Sequence, residues 1–90
     1  MANKKHRNQN GDICYIFRWE QGGGNNVFAK SKKTALRRAQ LFGASTHNRD
    51  GVKRKEGSHG ITLIPIPDSL RSVTLEEYLE FDKGLYLLSI

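Results

Sequence analysis

Cysteine, long apolar runs and, over two thirds of the chain, acidic residues are scarce here, and each scarcity excludes something. A single cysteine, Cys14, rules out an internal disulfide and fits a reducing compartment such as the cytoplasm. It lies in the apolar run ICYIF, where the expectation is a buried, inert thiol. No apolar run approaches the roughly 20 residues that span a bilayer. The basic start MANKKHRNQNGD is followed by no apolar stretch, so it does not read as a secretory signal.

Catalytic and metal-binding patterns are missing as well. Cys14, His6, His47 and His59 are scattered, with neither C-x-x-C nor H-x-x-x-H spacing, so no zinc site is expected. There is no G-x-S-x-G, Walker or dinucleotide motif, and no cofactor is implied. Gly22–Gly24 precede a strand rather than opening a helix, which makes them a loop and not a phosphate cradle. Glu76, Glu77 and Glu80 fall in one amphipathic segment and read as a solvated face.

What is present is cation. Residues 1–60 hold thirteen Lys/Arg against four Asp/Glu, a net +9, whereas residues 61–90 hold two against five, a net −3. That asymmetry points a basic surface at an anion.

Local patterning gives the elements. Residues 1–12 are polar and basic and read as a mobile arm ahead of one domain at 13–90. ICYIFRW, residues 13–19, places Ile13, Tyr15, Phe17 and Trp19 on one face and Cys14 and Ile16 on the other, the mark of a central strand. QGGGNN turns the chain into a second strand at Val27–Lys30, making a hairpin. Ser31 is a good N-cap for a helix from Lys32 to Phe42, with Gly43 as its left-handed terminator. Ala35, Leu36, Ala39 and Phe42 form its apolar stripe, which should pack on the sheet. Residues 44–60 have no periodicity and form a long basic loop. ITLIPI, residues 61–66, is a strand that Pro65 confines to an edge. Two readings of the next segment remain open: a short helix capped by Thr74 and Glu77 and stopped at Gly84, or a hairpin turning at DKG. LYLLSI, residues 85–90, should be a buried strand in either case. The fold class is α+β, an antiparallel sheet of three to four strands with one amphipathic helix on one face, in the order β-β-α-β-(α or β)-β.

Lysines crowd the start of the helix, where the backbone already carries partial positive charge and cations are unfavourable by a few tenths of a kcal/mol each, or roughly so. An anionic partner relieves that arrangement. Lys30, Lys32, Lys33, Arg37, Arg38, Arg49, Lys53, Arg54 and Lys55 are therefore the candidate partner-binding residues. Tyr15, Phe17 and Trp19 could stack bases if their face were open, but the domain has few other large residues to fill its core.

Two resemblances bear on function. The Gly57-Ser58-His59 stretch, with Lys53, Arg54 and Lys55 before it, resembles the Gly-Ser-His segment of HicA-type messenger-RNA-cleaving toxins, which implies His59 as a catalytic base. The chain departs from that family in running straight on to Ile61–Pro65, where the family has a further strand and turn. The layout of hairpin, helix with Ser31, Ala35 and Ala39 at four-residue spacing, and proline-containing strand is similar to several phage-encoded anti-CRISPR proteins. That resemblance implies a small non-catalytic inhibitor that covers a surface of a nucleoprotein complex. The expectation from residues and layout together is a non-enzymatic basic protein that binds nucleic acid or a nucleoprotein complex, without a membrane or a cofactor.

Overall fold

The computed structural model describes residues 4–54 and 61–89, with side chains as far as Gly84 in the last helix. Its centre is the hairpin. Strand β1, Ile13–Arg18, pairs antiparallel with β2, Gly24–Ala29, setting Tyr15 opposite Val27 and Cys14 opposite Phe28. The turn between them places Gly22 and Gly23 at φ of 104° and 74°, a region glycine enters without steric cost. A two-residue strand β3, Arg71–Ser72, lies on the other side of β1, giving the order β2-β1-β3. β1 is thus central, as its two apolar faces require.

Side chains alternate across a strand, so the two faces of the hairpin are distinct. One carries Tyr15, Phe17, Trp19, Val27 and Ala29, and helix α1, Lys32–Gly43, covers it with the fully buried Ala35 and Ala39. Leu36 and Phe42 close the sides. Phe17 and Trp19 meet edge to face at 4.7 Å, inside the core, so neither is open for stacking on a ligand. Ser31 caps the helix, its hydroxyl accepting the Thr34 amide at 3.3 Å.

The opposite face carries Cys14 and Ile16 with Val73, and α2, Leu75–Ser89, covers it with Tyr78 and Phe81. The sheet therefore has a helix on each face, and of the two open readings of the segment after residue 72 the capped helix is the one found. The start of α2 is a capping box. The Glu77 amide donates to Thr74 Oγ1 at 3.2 Å, and the Thr74 amide donates to Glu77 Oε1 at 3.0 Å. That backbone bond, reinforced by Arg71 at 3.1 Å, holds the Glu77 carboxyl below the usual carboxylate range.

Four expectations are corrected. Residues 85–89 of the apolar run are not a strand: α2 runs through Gly84 to Ser89, and a short apolar run suits a helix as well as a strand. Residues 61–66 do not make a ladder. Pro65 forms an isolated bridge with Trp19, while Ile66 N–H donates to Arg18 O and Glu20 N–H to Ile64 O, the pairing stopping where proline has no donor. Residues 4–12 are not a detached arm. Lys5 bridges Thr74, Arg7 bridges Ile13, and the His6 ring lies 5.7 Å from Phe28 and 5.3 Å from Tyr78. Gly43 is not the left-handed terminator either. It is the last helical residue, and Ser45 takes the positive φ of 62°.

Gly43 is required for proximity instead. Its carbonyl accepts the Leu63 amide at 3.0 Å, and a Cβ there would collide with the Leu63 carbonyl and sit 2.8 Å from the Trp19 ring. Gly43→Ala is expected to destabilise the domain by about 1–3 kcal/mol, read as a lower urea midpoint. Gly84→Ala, which meets no described atom within 4 Å, should instead stabilise it by up to about 1 kcal/mol. The reverse order of midpoints would show that the 61–66 segment does not rest on Gly43.

Candidate anion-binding face

Charge is segregated between the two helices and hence between the two sides of the sheet. α1 contains Lys32, Lys33, Arg37 and Arg38 with no acidic residue, a net +4. α2 contains Glu76, Glu77, Glu80 and Asp82 against Lys83, a net −3. Arg71, Glu76, Glu77, Glu80 and Phe81 line an open pocket of 430 Å³ on that acidic side. The glutamates are exposed, as a solvated face requires. Among the described residues no helix is long and apolar enough to cross a membrane.

The nine candidate cations divide into groups. Two are engaged within the fold. Asp12 is buried, and its carboxylate receives Lys30 Nζ at 3.3 Å and Arg38 Nη1 at 3.2 Å. Arg38 Nη1 also donates to the Phe28 carbonyl at 2.6 Å. The Phe28 amide in turn donates to the Arg49 carbonyl at 2.9 Å, so the outer edge of β2 is closed by a guanidinium and a loop. Gly51, at φ 81°, lies so near Arg38 that a Cβ would be 2.5 Å from Nε. Arg38 is thus part of the framework rather than the contact surface, a partnership with a residue 26 positions away that helical periodicity does not reveal.

Burial pushes the Asp12 carboxyl up, but the bonds from Lys30 and Arg38 outweigh it and hold the group below the usual carboxylate range. The unfolded chain therefore binds the proton more readily. This contribution to stability is complete above about pH 4 and fades as pH falls through the lower folded-state value. Asp12→Asn should unfold at a lower urea concentration at neutral pH, and its deficit against the parent should close as the solution is acidified below about pH 4. A deficit independent of pH would separate Asp12 from this ion pair.

Lys32, Lys33, Arg37, Arg49 and Lys53 are exposed, and Arg54 is half-buried. Lys55 and the Gly57-Ser58-His59 stretch lie outside the described residues. Arg49, Lys53 and Arg54 sit in a small hairpin. His47 and Lys53 form an antiparallel bridge, and Asn48 Oδ1 accepts the amides of Asp50 and Val52 at 2.9 and 3.0 Å, which fixes the tip. Asn8 Nδ2 ties Asp50 Oδ1 to the N-terminal segment at 2.7 Å. Between this hairpin and the end of α1 is an open pocket of 370 Å³ lined by Phe42, Asn48, Arg49, Asp50 and Arg54. The Arg49 guanidinium carbon stands 5.8 Å from the Phe42 ring centroid. Phe42 was legible only as the last residue of the apolar stripe, and nothing in the local sequence signals that Asn48 and Asp50 join it.

Other reactive groups are committed elsewhere. Burial pushes the Cys14 thiol up to about 11, against a weaker contact from Asn26 Nδ2 at 3.6 Å, so it is protonated at neutral pH. His47 Nδ1 shares a hydrogen bond of 2.9 Å with Thr46 Oγ1. Among the described residues no three His, Cys, Asp or Glu side chains are grouped to hold a metal ion. Comparison with protein-family models, with curated proteins and with solved structures returns no match to this chain.

Proposed function

We propose that this chain is a non-catalytic binding protein that engages nucleic acid, bare or within a nucleoprotein complex, through the exposed cations of α1 and the 47–54 hairpin. The observation that carries the reading is the acid-free helix α1, set on the opposite side of the sheet from the acidic α2. Lys32, Lys33 and Arg37 repel one another and the helix start, and a phosphate backbone removes that repulsion while the acidic side faces away. Lysine and arginine contacts to phosphates follow charge and shape, so base specificity from α1 is small.

If all six exposed or half-buried cations of this face meet phosphates, affinity should fall about 10³-fold between 50 and 200 mM salt, for DNA and RNA alike. Fluorescence anisotropy across that range measures it. An affinity flat in salt overturns the reading. Capture from a lysate, repeated after nuclease digestion, identifies the form of the target: loss of partners on digestion supports nucleic acid, and retention places an acidic protein surface there instead.

A further inference from the structure

Within that reading, we infer that the pocket between the end of α1 and the 47–54 hairpin receives one unpaired nucleotide, giving the protein a preference for single-stranded nucleic acid. The floor is the Phe42 ring. Its inner side is fixed in the core, 6.0 Å from the Trp19 ring, so it is held rigidly where the pocket opens. The Arg49 guanidinium faces it at 5.8 Å. A planar base between the two needs about 3.5 Å on each side. The exposed Arg49 side chain supplies that by moving outward roughly an ångström, leaving the base between an aromatic ring and a cation, a pairing that single-strand binders exploit.

Charge and size favour a nucleotide within a chain. Among the described lining residues, Arg49 and Arg54 against Asp50 leave one net positive charge, which matches a single phosphodiester and not a di- or triphosphate. The volume of 370 Å³ lies near the small end of ligand pockets, which run from about 300 to 1,000 Å³. Asp50 Oδ1 is occupied by Asn8, which, among the described residues, leaves Oδ2 to accept from the amino group of a base. Asn48 Oδ1 is likewise occupied by two amides, leaving its Nδ2 as a donor. A base paired and stacked in a duplex cannot present its face to Phe42, whereas Lys32, Lys33 and Arg37 can meet the phosphates of either form. The hairpin adds selection to a helix that supplies attraction.

The test compares a labelled single-stranded dodecamer of mixed sequence, its duplex and free CMP, at 50 mM salt, for the parent chain, Phe42→Leu and Arg49→Gln. The expected result is tighter binding of the single strand than of the duplex, with the ratio between them falling about tenfold in Phe42→Leu. Arg49→Gln changes an exposed side chain away from the core and should lower the same ratio, which separates stacking from a folding defect in Phe42→Leu. Equal affinity for strand and duplex in the parent overturns the inference while leaving the phosphate-binding reading intact. So does a ratio unchanged by both substitutions. CMP bound as tightly as the dodecamer assigns the pocket to a free nucleotide and overturns it too. Failure to bind any form sinks the wider reading with it.

Discussion

Arg38→Ala should destabilise this domain by about 3 kcal/mol or more, whereas Arg37→Ala, one residue away on the same helix, should change stability by no more than about 0.5 kcal/mol. The two arginines look alike in sequence and differ in what they hold. Asp12 is only 6% exposed, and the Lys30 side chain that also reaches it is 76% exposed, so solvent screens most of the lysine's attraction. The Arg38 side chain is 27% exposed and serves the carboxylate and the Phe28 carbonyl at once. Removing it leaves the buried Asp12 carboxylate to the exposed Lys30 alone, takes a donor from the edge of β2 and opens space beneath Gly51. A chain of this length has a total stability of about 5–13 kcal/mol, so the loss is a substantial fraction of it. It corresponds to a fall in melting temperature of roughly 12 °C or more, at about 4–8 °C per kcal/mol. The double variant Asp12→Ala with Arg38→Ala should lose less than the sum of the two single losses, because the under-compensated carboxylate is then absent. Equal melting temperatures for Arg37→Ala and Arg38→Ala would remove Arg38 from the framework and return it to the contact surface.

That division marks how far the sequence could be read. The central strand, the hairpin, the N-caps of both helices and the stripe of α1 were legible because each is decided by neighbours a few residues apart: alternation at 13–19, glycines at 22 and 23, Ser31 against Thr34, Thr74 against Glu77. The second half of the chain resisted for a physical reason. The runs 61–66 and 85–90 are short and apolar, and period alone does not distinguish strand from helix in such runs; proline cut short the pairing of one, and the capped helix α2 absorbed 85–89 of the other. Gly84 read as a stop because glycine usually ends helices, yet the fifteen-residue helix carries it at a cost of about 1 kcal/mol. At the candidate site, charge composition identified the basic face, but the removal of Lys30 and Arg38 from it depends on Asp12, and the pocket depends on Phe42 meeting residues 48–54. Those are contacts between segments, and no local pattern encodes them. The aromatic run Tyr15-Phe17-Trp19, the obvious stacking platform in the sequence, is core; Phe42, half-buried at the end of α1, is the aromatic that lines the pocket.

Neutralising Lys32, Lys33 and Arg37 together, each to Gln, should weaken nucleic-acid binding about a hundredfold at 150 mM salt while leaving the fold intact. All three are exposed, and changing them spares the Asp12 ion pair, which a set including Arg38 would break. Each phosphate contact contributes about 0.9 to the slope of log affinity against log salt, so three lost contacts lower it by about 2.7. The deficit therefore depends on salt in a calculable way: about 2 × 10³-fold at 50 mM, about 10² at 150 mM, and closing toward 1 M, where counterion release contributes nothing. The same change removes repulsion at the start of α1, so the melting temperature should rise or hold. Weaker binding with a lower melting temperature would indicate damage to the fold. Weaker binding by the same factor at every salt concentration would mean that the three residues do not meet phosphates. Binding and slope both unchanged would leave the 47–54 hairpin as the whole of the contact surface. The acid-free helix would then be an ordinary solvated surface whose lysines, at a Debye length of about 8 Å in physiological salt, scarcely sense one another.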